Sequence, residues 1–181
     1  RGARSLRTMA LRFTYAGSPA QIVFGAGSRA RLAEWIDRLG CRRALLLSTP
    51  GQAGKAEALA ATLDGRAAGI FARATMHTPV DVTEAAVAAA ADVRADCLVA
   101  LGGGSTTGLG KAIAWRTDLP QIVIPTTYAG SEATDILGQT AHGVKETLRD
   151  PKVRPEVVIY DPELTIGLPV AVSVASGLNA M

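Results

Sequence analysis

Residues 97–105 read Cys-Leu-Val-Ala-Leu-Gly-Gly-Gly-Ser, an apolar run that ends in three glycines. The run predicts a buried strand over 97–101, and the pattern that follows predicts a helix over 105–115. Glycine has no Cβ, so the backbone of the three glycines can come close to a ligand. The first amides of a helix lack internal partners and carry the positive end of its dipole, which favours a bound anion. The stretch therefore predicts a phosphate-binding loop between a strand and a helix.

A second polar loop follows the next predicted strand, which covers 121–124. It reads Pro125-Thr126-Thr127-Tyr128-Ala129-Gly130-Ser131-Glu132 and supplies hydroxyls and amides that suit ribose and phosphate oxygens. A polar turn that caps the following segment is the alternative reading. Because ligands of parallel sheets bind at the carboxyl ends of the strands, the two loops together predict one dinucleotide site.

Apolar stretches alternate with helical ones along the rest of the chain, which favours a parallel α/β sheet covered on both faces. The expected fold is a Rossmann-like dinucleotide-binding domain. Ser28 is expected to cap the first helix, and Asp81 with Glu84 to form a capping box for the third. The pattern predicts strands at 13–15, 21–24, 44–47, 70–72, 97–101, 121–124 and 157–160, helices at 28–39, 52–63, 81–93 and 105–115, and a hairpin of 136–140 with 145–148.

The last residues, 168–181, are apolar on nearly every side of the predicted helix and have no C-terminal cap. We therefore expect the chain to stop at the start of a second, helical domain. The expected organisation is an extension over 1–8 before a natural start at Met9, an NAD(P)-binding domain over 9–165, and the beginning of a truncated helical domain over 166–181.

Composition excludes several classes of protein. Apolar residues make up 48% of the 181 residues and charged residues 19%, enough for a packed core. The formal charge of +3 equals the contribution of Arg1, Arg4 and Arg7, so the remaining chain is neutral and a nucleic-acid surface is not expected. No apolar run approaches the ~18 residues of a membrane span. Cys41 and Cys97 lack metal-type spacing and are expected to be buried free thiols, which fits a cytoplasmic protein.

An earlier glycine loop competes for the phosphate. Residues 25–30, Gly-Ala-Gly-Ser-Arg-Ala, fit the G-x-G-x-x-A dinucleotide fingerprint, but an acid is required about 20 residues later and Ser48-Thr49 stand there. His77 and His142 have no ligand partners at metal-site spacing. No nucleophile elbow, P-loop or paired His-Glu motif is present, which argues against hydrolases and P-loop enzymes.

Three stretches resemble the iron-containing alcohol dehydrogenase superfamily: Gly102-Gly103-Gly104-Ser105, Pro125-Thr126-Thr127 with Gly130-Ser131-Glu132, and Tyr160-Asp161-Pro162-Glu163-Leu164. Within it, Met76-His77-Thr78-Pro79-Val80 and Arg149-Asp150-Pro151 resemble the maleylacetate reductase branch. The resemblance runs from Met9 to Met181 and corresponds to about the first half of such an enzyme, in which an all-helical domain follows the α/β domain.

The resemblance implies a cofactor role for the loop residues. It places the pyrophosphate at the glycine loop and the ribose and nicotinamide along the second loop. Thr49 stands where many NAD-preferring relatives carry an aspartate, so NADPH is expected to be accepted beside NADH. Tyr128 is expected to line the substrate cleft, or to have only a packing role. The implied cofactor-binding residues are Gly103, Gly104, Ser105, Thr106, Thr126, Thr127, Ser131 and Thr49.

Asn179 stands where metal-dependent relatives carry an aspartate that binds the divalent ion. Its amide offers only a neutral carbonyl oxygen, so no metal is expected. The implied activity is reduction of the C=C bond of maleylacetate to 3-oxoadipate in aromatic-compound degradation, with NADH or NADPH. The implied partners are a small dicarboxylate substrate and a second copy in a homodimer, with no nucleic acid or membrane partner. The catalytic acid is expected beyond Met181.

Two other functions remain open. One is a metal-dependent alcohol or polyol dehydrogenase of the same superfamily, and the other is an inactive nucleotide-binding fragment.

Overall fold

The structure, a computed structural model, describes residues 20–141 and 143–179. The strand predicted at 13–15, the extension at 1–8 and His142 lie outside them. The described residues form eight strands and five α-helices in an alternating order. These are β1 Gln21–Phe24, α1 Leu32–Arg38, β2 Ala44–Leu47, α2 Ala53–Ala60, β3 Ala67–Phe71, α3 Val80–Asp92, β4 Cys97–Gly102, α4 Gly104–Thr117, β5 Gln121–Pro125, β6 Ile136–Ala141, β7 Val144–Arg149, β8 Val157–Tyr160 and α5 Val170–Asn179.

Six strands form one parallel sheet in the order β1-β8-β5-β4-β2-β3. The central strands β2, β4 and β5 are buried along their whole length, as expected for continuous aliphatic runs covered on both faces. In the register of β4 with β5, Gly102 lies opposite Pro125. The two loops predicted to share a ligand therefore leave the sheet side by side, and the predicted Rossmann-like fold is confirmed.

The helices cover both faces of the sheet, and each face has its own core. Leu32 and Ile36 of α1 and Leu59 of α2 pack on one face. Leu109 and Ile113 of α4 pack on the other, together with alanines of α3. Small alanine side chains let α3 and α4 lie close to the strands.

Two predicted helix caps are wrong. Ser28 begins a single 3₁₀ turn, and its hydroxyl donates to the carbonyl of Tyr160 at 3.1 Å instead of capping a helix. The N-cap of α3 is Pro79, so Asp81 already has helical backbone and no side chain caps this end. Asp81 still lies in the first turn, where a negative charge is favourable.

The β6–β7 hairpin pairs antiparallel outside the main sheet. Asp135 lies just before it. Its carboxylate contacts Arg149 at 3.2 Å and Arg154 at 3.5 Å. Asp135 thus ties the hairpin to the chain that follows it.

Helix α5 exposes much of its apolar surface within the described residues. Val170 is 79% exposed and Leu178 is 61% exposed, whereas Ser176 is buried. None of the helices in residues 20–141 and 143–179 has the length and hydropathy needed to cross a membrane.

Candidate functional site

The glycine loop between β4 and α4 is held by close packing against hydroxyl side chains. A Cβ on Gly102 would collide with the hydroxyl of Thr106. A Cβ on Gly103 would lie 2.8 Å from Oγ1 of Thr127. A Cβ on Gly104, by contrast, would meet only the Cβ of Ala129 at 3.5 Å, which is ordinary contact. The first two glycines are therefore required by packing, and the third is not.

The amino-terminal end of α4 offers unpaired backbone donors. The amides of Thr106 and Thr107 both donate to the carbonyl of Gly103, at 3.1 and 3.0 Å. The amides of Gly104 and Ser105 precede them and donate to no group within residues 20–141 and 143–179. No side chain caps the helix. Free amides at the positive end of a 14-residue helix are the kind of donors that favour an anion such as phosphate.

The second loop touches the first, as the sequence predicts. The amide of Thr126 donates to the carbonyl of Gly102 at 2.9 Å. Thr127 packs on Gly103, and Ala129 approaches Gly104. One ligand can therefore contact both loops at the same time.

A cavity of about 250 Å³ opens beside the free amides. Its lining includes His77, Ser105, Ser131 and Lys145 and, among the described residues, no acidic side chain. The hydroxyl of Ser131 is buried and has no hydrogen-bond partner among those residues. The sequence does not predict a role for Lys145, because it reaches the cavity only through the packing of the hairpin opposite α4. A cation and an unpaired hydroxyl next to free amides suit an anionic ligand.

Two of the predicted cofactor residues lie beneath the loops instead of facing the cavity. Thr106 is fully buried, and Thr126 is 1% exposed. The hydroxyl of Thr126 accepts from Nε2 of Gln52 at 3.3 Å. The side chain of Thr106 packs against Gly102, and its hydroxyl, like that of Ser131, has no hydrogen-bond partner among the described residues. Thr49 is partly exposed and precedes a one-turn helix, at the carboxyl end of β2.

Tyr128 lies in a different cavity, of about 470 Å³, whose lining also includes Phe24, Glu132 and Tyr160. The residue is 46% exposed. Its backbone amide donates to Oγ of Ser176 at 3.2 Å, which joins α5 to the second loop. Glu132 is buried and accepts from the hydroxyl of Tyr160 at 3.1 Å. The carboxylate of the Gly-Ser-Glu motif therefore fixes the loop to β8.

The competing loop at 25–30 already holds a carboxylate of the chain itself. Asp161 accepts from the amides of Gly27 at 3.0 Å and Arg29 at 3.3 Å. Nη1 of Arg29 donates to the same carboxylate at 2.6 Å. Asp161 therefore occupies the donors that a phosphate would need at this loop, whereas the amides of Gly104 and Ser105 have no partner in the part of the chain that the structure describes.

Lys111 is the buried cation of the site. The residue is 1% exposed, and its ammonium donates to carbonyls of the segment 131–136. Burial lowers its pKa to about 8, while nearby Glu132 and Asp135 act in the opposite direction. No local sequence pattern marks this residue, because its acceptors lie 20 to 25 residues further along the chain.

Cys41, Asp96 and Cys97 bring three metal-ligand atoms within 4.8 Å of one another. Both thiols are free and buried, as predicted. Burial raises the pKa of each thiol. The carboxylate of Asp96 already accepts from the amides of Arg42 and Arg43, both at 2.8 Å. The cluster lies at the amino-terminal end of β4, and the glycine loop lies at its carboxyl end, because β4 runs from Cys97 to Gly102.

The chain is similar in sequence to maleylacetate reductases. The protein of that name from Rhizobium sp. (strain MTP-10005) is 68% identical over 93% of this chain and 48% of its own length. The crystal structure of maleylacetate reductase from Agrobacterium tumefaciens superposes with a TM-score of 0.91 at 66% identity, over 94% of this chain and 49% of that one. The chain thus spans about half the length of the curated relatives it matches.

A more distant structure was solved with a cofactor. Sulfoacetaldehyde reductase from Bifidobacterium kashiwanohense, in complex with NAD⁺, has a TM-score of 0.86 at 26% identity, over 94% of this chain and 51% of that one. The family model described as iron-containing alcohol dehydrogenase matches residues 19–162. That match covers most of the chain, including the glycine loop, the second loop and Asp161, and the chain therefore belongs to the iron-containing alcohol dehydrogenase family.

Proposed function

We propose that the chain is the cofactor-binding part of a maleylacetate reductase, which reduces the C=C bond of maleylacetate with NADH or NADPH to give 3-oxoadipate. The observation that best supports cofactor binding is that the two loops are in contact and that the amides of Gly104 and Ser105 are free beside Lys145. High identity to maleylacetate reductases supports the substrate class.

The site fits a dinucleotide in its donor set. Gly104 and Ser105 would hold the pyrophosphate through their free amides and the helix dipole, beside the backbone of Gly103. Thr127 and Ser131 would contact ribose and nicotinamide, with Lys145 neutralising charge. Thr106 and Thr126 would not touch the cofactor, and would instead hold the loop backbone at Gly102. NAD(P)H, when bound, supplies the hydride.

The substrate would lie beyond the second loop, with Tyr128 along its path. The ketone conjugated to the double bond takes up negative charge as the hydride arrives, and a proton donor completes the reduction. We place that acid outside residues 1–181. We also propose that residues 166–181 begin a helical domain that covers the exposed apolar side chains of α5, that residues 9–165 form the cofactor domain, and that the whole protein is a cytoplasmic homodimer.

The proposed reaction needs no metal ion, since Asn179 stands at the family's metal-binding aspartate position. In full-length protein, we expect maleylacetate-dependent NADH oxidation that EDTA does not reduce, followed at 340 nm. Chelator-sensitive oxidation of simple alcohols, with no turnover of maleylacetate, would identify a metal-dependent alcohol dehydrogenase instead.

Thr49 is expected to permit NADPH binding because it carries no charge near the adenosine ribose. Thr49→Asp should weaken NADPH binding by about tenfold, or ~1.4 kcal/mol, through repulsion of the 2′-phosphate, and leave NADH binding unchanged. Fluorescence titration with both cofactors measures the ratio. Thr49→Asn is the matched neutral control and should leave the ratio as in wild type. An equal effect of the aspartate on both cofactors would place the 2′-phosphate elsewhere.

A further inference from the structure

We propose that Lys111 is a positioning residue, which fixes the segment from Ser131 to Ile136 against α4 and so sets the spacing of the two cofactor loops. The inference rests on the proposed function, because it assumes that the two loops bind a dinucleotide. Lys111 would affect that binding without touching the ligand.

The ammonium of Lys111 is fully used by the chain itself. It donates to the carbonyls of Thr134 at 2.8 Å and Ile136 at 2.9 Å, to Oγ1 of Thr134 at 3.0 Å, and to the carbonyl of Ser131. A lysine ammonium has three protons, and here four oxygens share them. No proton is left for a ligand, although Lys111 borders the cavity. Its role is therefore to hold the loop and not to touch the cofactor.

Burying the ammonium of Lys111 costs free energy, because the charge loses its contact with water. Among the described residues, no carboxylate forms an ion pair with Lys111. The hydrogen bonds of the ammonium must first offset the cost of taking its charge out of water, so the buried cation adds less to stability than its four acceptors suggest. What the cation adds is a common anchor for three carbonyls of the segment that connects β5 to the first residue of β6.

The anchored segment carries an unpaired polar group beside the cavity. The carbonyl of Ser131 accepts from Lys111, while the hydroxyl of Ser131 is buried and has no partner among the described residues. Lys111 extends from α4, whose first amides are free. One side chain thus connects the helix that offers the amides to the residue that offers the hydroxyl.

The test is NADH binding by full-length Lys111→Met, measured by fluorescence, together with the melting temperature. We expect the Kd of the folded variant, measured below its melting temperature, to rise about tenfold. The melting temperature should also fall, because the carbonyls of Ser131, Thr134 and Ile136 lose their donor. Thr134→Val removes one of the four acceptors at nearly constant volume and should raise the Kd less. Lys152→Met is the control, because it removes an equal charge from an exposed pair with Asp118.

The pH profile separates positioning from bulk stability. Because the pKa of Lys111 is lowered to about 8, wild-type affinity should fall between pH 7 and pH 9 as the ammonium loses its proton. Lys111→Met should not show this fall. Glu132, Asp135 and Arg154 are the charged groups that act on Lys111, and all are present in both proteins.

Wild-type affinity in Lys111→Met would overturn the inference. If that variant does not fold, an unchanged Kd in Thr134→Val with a flat wild-type pH profile would overturn it. Absence of NADH binding by wild type is a different result, which would contradict the proposed function itself.

Discussion

Replacing Gly104 with alanine is expected to weaken NADH binding at least about tenfold, or ~1.4 kcal/mol, without loss of stability. The new Cβ would lie 3.5 Å from the Cβ of Ala129, so the fold accommodates it. Alanine also favours the helix that begins at this residue. The methyl group would, however, stand beside the free amides of Gly104 and Ser105, where the phosphates must approach. Titration of intrinsic fluorescence with NADH and a thermal melt measure the two quantities.

Gly103→Ala is the neighbouring comparison, with the opposite expected outcome for stability. Its Cβ would lie 2.8 Å from Oγ1 and 2.9 Å from Cγ2 of Thr127, so the loop must shift, at a cost of about 1–3 kcal/mol. A stable Gly104→Ala variant with wild-type NADH affinity would show that the pyrophosphate does not bind at these amides.

Much of the fold could be predicted because its strands are continuous aliphatic runs. The strand at 121–124 and the hairpin differ from the structure by one or two residues at their ends. The start of α1 could not be predicted, because the 3₁₀ turn before it is held by Asp161, which accepts from the amides of Gly27 and Arg29 and lies more than 130 residues away. Local sequence patterns carry no information about such a partner.

The candidate site also has features that the sequence predicts and features that only the tertiary structure reveals. A glycine loop and a polar loop after adjacent strands must meet in a parallel sheet, so their contact follows from the order of elements. Sequence does not tell whether a threonine hydroxyl faces the ligand or the loop, and Thr106 and Thr126 prove to be buried. Lys111 lies in α4 and Lys145 lies in β7 of the hairpin, so only the tertiary structure brings the two lysines to the same cavity.

Asp161→Asn is expected to lower the free energy of unfolding by about 2–4 kcal/mol. The side chain is fully buried and accepts from the amides of Gly27, Arg29 and Glu163 as well as from the Arg29 guanidinium. Burial alone would raise the pKa of Asp161, but these hydrogen bonds lower it overall. Its stabilising effect is therefore complete above the pKa of an unfolded aspartate, near ~4, and is lost as pH falls through the folded value. Urea unfolding at pH 7 and at acid pH should show a smaller pH dependence in the variant.

Glu163→Gln provides the matched control, because Glu163 contacts the same guanidinium at 2.7 Å but is 46% exposed. Its loss should cost less than about 1 kcal/mol, since water screens an exposed pair. The same two variants also discriminate between the glycine loops. If NAD(P)H phosphates bound at 25–30, Asp161 would compete with them, and Asp161→Asn would tighten NADH binding while Glu163→Gln would not. Because we place the phosphates at Gly104 and Ser105, we expect the NADH affinity of folded Asp161→Asn to equal that of wild type. A tighter Kd in that variant would move the site to the first loop.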